Sequence, residues 1–174
     1  MQAELFKEGS GSLELYKKAL SDYGRARNMK HLAIGYEYVR TLTKDRVAFI
    51  EVKELSSYHA DFFACQMAHG DTDIMLGLSG DVKALLYLAG GFGREEYFEI
   101  NEDSYDALCE VTNMINGKFA KMLEEEGVEL EIVPPVCCEN CDITTNGSFY
   151  VMCLEVNGSP MDIISVVDVI PYMT

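Results

Sequence analysis

The sequence predicts an α+β fold in which long helices pack on a mostly antiparallel sheet. Apolar residues recur every three or four positions in several segments, which is the period of an amphipathic helix. Other segments are short, rich in Val, Ile and Phe, and bounded by Gly- and Asn-containing turns, which is typical of strands. A chain of 174 residues is long enough for one domain with a sizeable core. A sheet covered by helices is the arrangement that buries both kinds of apolar face.

The first 45 residues are predicted to contain one helix. Ser12 can cap this helix, and Gly24 can end it. The stretch 28–42 stays ambiguous between helix and strand. The apolar residues at helical spacing are Leu13, Tyr16, Ala19, Leu20 and Tyr23.

Strand-like segments begin after residue 45. Three apolar runs are predicted to be separate strands, the third ending at Ser79-Gly80. Asp81 then caps a short helix over 82–89, which Gly90-Gly91 terminates. The three runs contain Val47, Phe49 and Ile50, then Phe62, Phe63 and Cys65, then Ile74, Leu76 and Leu78.

An acidic loop over 94–100 precedes the longest predicted helix, which covers 102–126 and stops at Gly127. Strands are predicted to follow it, with turns at Asn146-Gly147 and Asn157-Gly158. The predicted strands cover 128–133, 149–156 and 163–169.

Composition narrows the possible partners. The net charge of −15 argues against a nucleic-acid groove, because phosphate backbones require an excess of Lys and Arg. No apolar run approaches the roughly 20 residues that span a bilayer, and residues 1–12 lack the order of a secretory signal. We therefore expect a soluble, cytoplasmic protein that binds neither nucleic acid nor membrane. Its docking partner should offer basic groups at the contact.

Six cysteines are present: Cys65, Cys109, Cys137, Cys138, Cys141 and Cys153. The first two and the last lie in apolar or periodic segments and are interpreted as small buried hydrophobic residues. Cys138-x-x-Cys141, with Cys137 adjacent, could be a redox pair, half of a zinc site or a loop with incidental thiols. A structural zinc site needs four ligands, usually as two spaced pairs, and the sequence has no second pair of this kind. We therefore predict no metal site.

The longest helix carries a polar stripe. Asp106, Glu110, Asn113 and Gly117 fall on one side of it, because each residue advances about 100° around the axis. The opposite, apolar side is the predicted core face, formed by Leu108, Val111, Ile115, Phe119 and Met122. A polar helix face is ordinarily no more than a solvated surface. However, Asn is a poor helix former, and Gly costs about 1 kcal/mol against Ala in a helix. Packing cannot explain the presence of Asn113 or Gly117, because both lie on the exposed face.

The pattern Asp106-x-x-x-Glu110-x-x-Asn113, followed 22 residues later by Pro135, resembles the signature of the CheC/CheX/FliY family of response-regulator phosphatases. The neighbouring residues resemble the single-motif CheX branch of that family. They are Met114, Gly117, Lys118, Glu124 and Pro134. The likeness covers residues 47–169, so it implies a CheX-like phosphatase domain over 46–174. Residues 1–45 are then an N-terminal extension that belongs to the same unit.

The resemblance implies a hydrolase that removes the phosphoryl group from the aspartyl phosphate of a CheY-like receiver domain. The residue that matches Asn113 orients the attacking water, and the residue that matches Glu110 pairs with the receiver's active-site lysine. Asp106 and Gly117 are expected to support binding of the partner. The receiver supplies Mg²⁺, so no cofactor of the chain's own is expected. The resemblance to CheX-like proteins also implies a homodimer formed through strand contacts.

Three alternatives stay open. The same helix could dock a receiver without hydrolysis, as in flagellar-switch relatives that lack the Glu/Asn pair, although both residues are present here. The chain could be an adaptor unrelated to phosphate. A zinc- or thiol-based function of Cys137, Cys138 and Cys141 would be revealed by measuring bound metal and free thiols.

Overall fold

The computed structural model describes residues 9–23 and 26–174, which form four helices and six strands. The helices are α1 (Gly9–Tyr23), α2 (Arg27–Leu42), α3 (Val82–Gly93) and α4 (Glu102–Glu125). The strands are β1 (Val47–Gly70), β2 (Ile74–Gly80), β3 (Leu130–Ile132), β4 (Val136–Val156), β5 (Ser159–Val167) and β6 (Pro171–Met173). The predicted α+β class is confirmed.

The strand pairings of the described residues are antiparallel, in the order β3-β1-β2-β5-β4-β6. The long strand β1 also pairs with β4. Val47 lies opposite Val156 at one end of this ladder, and Cys65 lies opposite Val136 at the other. The sheet therefore closes on itself, because β1 and β4 are joined both directly and through β2 and β5.

Two predicted breaks in the sheet are wrong. The runs 47–50 and 62–65 belong to the single 24-residue strand β1, and β4 continues through Asn146-Gly147 instead of turning there. The physical reason is that β1 pairs with β4 over residues 47–65 and 136–156, with a shift of register along the way. Leu55 pairs with Phe149, but Ser57 pairs with Thr144, so the turn-forming residues of β4 lie in a bulge.

Side chains of the central strands alternate between two apolar clusters, one on each face of the sheet. The cluster against the helices includes Ala64, Leu76, Met152 and Ile163, and the other includes Phe63, Met75, Val151 and Ile164. In the second cluster the Phe63 ring packs directly on Gly77, where a Cβ atom would overlap the ring. The two-sided burial explains why β2 is buried along almost its whole length.

The N-terminal part contains two helices, not one. The predicted helix is present as α1, and the ambiguous stretch 28–42 is helical as α2. Ser12 lies inside α1, so its predicted capping role is wrong; its Oγ instead accepts a hydrogen bond of 2.7 Å from the backbone N–H of Phe49. Gly24 lies outside the described residues. Tyr16 and Leu32 are buried in the same cluster as the sheet residues, while the division at residue 45 stays a prediction.

The helix that follows β2 starts as predicted and ends later. The Asp81 side chain accepts a hydrogen bond of 2.8 Å from the N–H of Lys83, which confirms the cap. Gly90-Gly91 do not end the helix, which continues to Gly93. The physical reason is close packing, because a Cβ atom at Gly91 would overlap the backbone carbonyl of Leu42 at the end of α2.

The remaining predictions are confirmed with changes at the ends of elements, except that the interpretation of Cys138-x-x-Cys141 as a loop is wrong, because pairing with β1 makes this stretch the first half of β4. Helix α4 ends one residue earlier than expected, and Asn101 with Ser104 forms a capping box at its start. Strands β3 and β5 and the second half of β4 match the three predicted late strands. The turn at Asn157-Gly158 is present, with φ of 47° and 86°. Among the described helices, none has both the length and the apolar character needed to cross a bilayer.

Candidate functional site

Helix α4 presents its polar stripe to solvent, as predicted. Asp106, Glu110 and Asn113 are exposed, and Gly117 is half-exposed. The opposite side is fixed in the core by Leu108, Val111, Ile115 and Phe119, each at most 1% exposed, while Met122 is half-buried. A Cβ atom at Gly117 would meet no atom within 4 Å, so packing within the chain does not require glycine there.

Gln66 of β1 forms a hydrogen bond with the side chain of Asn113. The Gln66 Nε2 group donates a hydrogen bond of 2.8 Å to Asn113 Oδ1. Gln66 is only 2% exposed, so this donor comes from the protein interior. Because the Asn113 oxygen accepts from Gln66, its Nδ2 group remains available to donate to a ligand. No signal in the sequence points to Gln66, which lies 47 residues earlier on a strand.

Gln66 is itself the end of a buried polar chain. Asn116 Nδ2 donates to the backbone oxygen of Gln66 at 2.8 Å, and Asn116 Oδ1 lies 2.9 Å from His31 Nε2. His31 Nδ1 lies 2.9 Å from Ser165 Oγ. Because the Asn116 oxygen can only accept, His31 carries its proton on Nε2, and the Ser165 hydroxyl donates to Nδ1. The chain joins α2, α4, β1 and β5 beneath Asn113.

Burial controls the protonation of this histidine. His31 is completely buried, and burial lowers its pKa from 6.5 to about 3, although the hydrogen bond with Asn116 acts in the opposite direction. The ring stacks on Phe119 of α4, with centroids 4.2 Å apart. His31 is therefore neutral near pH 7 and serves to connect the helices to the sheet.

An open depression of about 380 Å³ lies beside Glu110. Its walls come from α4 and from the end of α3 with the loop that follows it. Four of the lining residues are carboxylates, namely Glu95, Asp103, Asp106 and Glu110. A concave surface with this charge attracts a cationic group such as an ammonium. The acidic loop was predicted from the sequence, but its part in this depression was not.

Two pairs of thiols are in contact, and one of them includes a residue of α4. Cys109 Sγ of α4 is 2.8 Å from Cys137 Sγ of β4, and Cys138 Sγ is 3.0 Å from Cys141 Sγ. All of them are free cysteines. Within residues 9–23 and 26–174, no group of three or more His, Cys, Asp or Glu side chains is arranged to hold a metal ion.

The prediction that three cysteines are buried hydrophobic residues is confirmed for one of them. Cys65 is 0% exposed, whereas Cys109 and Cys153 are half-buried. Cys109 differs because it lies at the boundary between the core face and the exposed face of α4, one residue before Glu110.

Comparison with known proteins identifies one matching family and solved structures that share the fold. The family model described as chemotaxis phosphatase CheX matches residues 62–156, which is more than half of the chain. Comparison with curated proteins gives no significant match.

Solved structures share the fold at low sequence identity. A chemotactic CheC-like protein from Shewanella oneidensis has a TM-score of 0.67 at 19% identity, over 79% of this chain and 94% of the other. CheX from Desulfovibrio desulfuricans has a TM-score of 0.64 at 17% identity, over 79% and 95%. A CheX–CheY–BeF₃–Mg²⁺ complex from Borrelia burgdorferi matches with a TM-score of 0.58 at 16% identity, over 79% and 94%.

Proposed function

Because the chain belongs to the chemotaxis phosphatase CheX family, we propose that it hydrolyses the aspartyl phosphate of a CheY-like receiver domain. In this proposal Asn113 orients the attacking water, and Glu110 pairs with the active-site lysine of the receiver. The observation that carries the proposal is the exposed Asn113 amide, held by Gln66 on the same helix face as Glu110. The Borrelia burgdorferi complex, which contains CheX together with CheY, supports the choice of partner.

The chemistry explains why an amide suits this position. In phosphoryl transfer, positioning and charge stabilisation provide most of the rate enhancement. The Asn113 Nδ2 group can donate to the water oxygen, which leaves a lone pair of the water for attack on phosphorus as the bond to the receiver aspartate breaks. A carboxylate at the same position would be repelled by the phosphoryl oxygens. The Gln of Ras-type GTPases orients a water in a comparable way.

Gln66 acts in this proposal as a positioning residue. Its Oε1 atom is buried and has no hydrogen-bond partner among the described residues. Leaving a buried polar atom unpaired costs about 1–3 kcal/mol, so an apolar side chain of similar size would suit the interior better. Stability alone therefore does not account for glutamine here, whereas its hydrogen bond to Asn113 does. That bond fixes which end of the Asn113 amide faces a ligand.

The carboxylates around Glu110 suit the lysine of a receiver. Glu110 and Asp106 line the acidic depression, where a fixed anion beside an ammonium provides binding energy and register. Gly117 leaves room on the same stripe for a receiver loop. The Mg²⁺ of the reaction belongs to the receiver, and the proposal assigns the chain no metal of its own. It also places the protein in the cytoplasm with its receiver, while a homodimer formed through strand contacts stays a prediction.

The test is an aspartyl-phosphate decay assay against each receiver encoded in the source organism, phosphorylated with acetyl phosphate. The wild-type chain should accelerate decay of at least one receiver. Asn113→Ala should lower kcat by about 10²-fold with little change in KM, which is the scale of losing one positioned polar group. Asn146→Ala makes the same change at an exposed asparagine in β4 and should leave both constants unchanged.

Two results would reject the proposal. Equal rates for the wild type and Asn113→Ala would exclude catalysis by this face of α4. Binding of a phosphorylated receiver without faster decay would identify the chain as a non-catalytic receiver-binding module, as in flagellar-switch relatives.

A further inference from the structure

The contact between Cys109 and Cys137 brings two thiols from different elements together. Their Sγ atoms are 2.8 Å apart, although the residues are separated by 28 positions in the chain. A disulfide bond is about 2.05 Å long, so the two sulfur atoms need to approach by less than about 1 Å. Both side chains are half-buried, and so neither is sealed from solvent.

We propose that Cys109 and Cys137 form a site of reversible oxidation, at which hydrogen peroxide converts the two thiols into a disulfide that joins α4 to β4. This site is independent of the proposed phosphatase function. It is a chemical property of the two side chains, and its test does not use the activity.

The reaction balances in two steps. The Cys109 sulfur attacks one peroxide oxygen and breaks the O–O bond, which gives a sulfenic acid and, after protonation, one water molecule. The Cys137 sulfur then attacks the sulfenic sulfur, so that the S–S bond forms and the S–O bond breaks. The departing hydroxide takes the Cys137 proton and leaves as a second water molecule. Two thiols lose two electrons in total, and one hydrogen peroxide is reduced.

The surroundings assign different roles to the two thiols. The hydrogen bond from Cys137 lowers the pKa of Cys109, although burial and the nearby Asp106 and Glu110 carboxylates act in the opposite direction. The same hydrogen bond and burial raise the pKa of Cys137, which therefore keeps its proton. Cys109 is thus the more easily deprotonated sulfur and the first to react, and Cys137 is the resolving thiol.

The other thiols are less well placed. Cys138 and Cys141 both belong to β4 and pack in the apolar cluster on the face of the sheet away from the helices. A disulfide between them would close a ring within one strand. Cys65 is fully buried, and burial raises its pKa to about 12. Of the two thiol–thiol contacts among the described residues, only Cys109–Cys137 connects two secondary-structure elements.

The experiment treats the reduced, full-length protein with hydrogen peroxide and maps the products after tryptic digestion without reductant. Cleavage after Lys and Arg places Cys109 in the fragment 95–118 and Cys137 in the fragment 122–174. The disulfide should join these two fragments, and dithiothreitol should separate them. The link should persist in the Cys138→Ser/Cys141→Ser double variant, which leaves Cys137 and Cys153 as the candidate partners in the fragment 122–174.

Single variants provide the matched controls. Cys109→Ser and Cys137→Ser should each abolish the link, whereas Cys153→Ser, at another half-buried cysteine, should retain it. If a variant folds poorly, tandem mass spectrometry of the linked wild-type fragments still identifies which cysteine of 122–174 is joined to Cys109. A disulfide found only within 122–174, or Cys109 oxidised to sulfonic acid without a link, would overturn the proposal. A link that forms only in denaturant would overturn it as well.

Discussion

Lowering the pH from 7.5 to 5.0 should reduce the free energy of unfolding by about 2 kcal/mol through His31 alone. Burial lowers the pKa of this side chain to about 3 in the folded protein, from 6.5 in a solvated one. Between these two values the unfolded chain binds a proton that the folded chain does not. The contribution of neutral His31 to stability is therefore complete above pH 6.5 and is lost progressively as the pH falls toward 3.

The size of the loss in unfolding free energy follows from how far the pH falls below 6.5. Each pH unit below 6.5 costs about 1.4 kcal/mol as long as the folded state stays unprotonated, so 1.5 units cost about 2 kcal/mol. A loss of this size is a large part of the 5–15 kcal/mol that stabilises a typical domain. The structural cause is burial, because a second ring proton would place a charge in the core.

Urea unfolding of the wild type and His31→Gln at pH 7.5 and pH 5.0 measures this effect. Glutamine does not titrate, so the variant should lose about 2 kcal/mol less than the wild type between the two pH values, even if it is less stable at both. Groups such as His59, whose pKa is raised by its hydrogen bond to Asp142, titrate in both proteins and cancel in the comparison. The same loss in both proteins would show that His31 is protonated in the fold and would refute the reasoning.

Three further predictions concern the site and the sheet. Glu110→Lys should abolish receiver binding, because it places like charges at the contact. Glu54→Lys makes the same change at an exposed position of β1 and should leave binding unchanged. Titration calorimetry measures both. Gln66→Met should lower kcat without lowering the urea midpoint; a fall in both, or in neither, would contradict a positioning role. Gly117→Ala should raise stability by up to about 1 kcal/mol, since its Cβ has open space, whereas Gly77→Ala should cost about 1–3 kcal/mol in thermal unfolding. A cost at Gly117 or none at Gly77 would contradict the packing described here.

Local chemistry made some elements predictable from the sequence. The side of α4 that faces solvent follows from helical period, because its apolar residues require one orientation toward the core. The cap at Asp81 and the turn at Asn157-Gly158 depend on backbone preferences of a few adjacent residues.

Other elements depend on partners that are distant in sequence. Gly90-Gly91 indicated a helix end, but the missing side chain of Gly91 instead permits contact with α2, and that of Gly90 permits contact with the backbone of Glu95. Asn146-Gly147 indicated a turn, but pairing with β1 draws the segment into a bulged strand. In both cases a tertiary contact overrides a local preference.

The same limit applies to the site. Glu110 and Asn113 could be identified from the sequence because they lie three residues apart on one helix and therefore share a face. Gln66 reaches Asn113 only through the position of β1 beneath α4, and no periodicity along the sequence reports that contact. Cys137 reaches Cys109 in the same manner, from β4.

The pairing of β1 with β4 also has a consequence during synthesis on the ribosome. Val47 pairs with Val156, so this ladder cannot be completed until about 110 more residues have been translated. At roughly 5–20 residues per second, that interval lasts on the order of 5–20 s. During this interval the nascent chain exposes an unpaired, apolar edge of β1, which can associate with other incomplete chains. The yield of native protein in cells should therefore respond to translation speed and to chaperones that shield nascent chains.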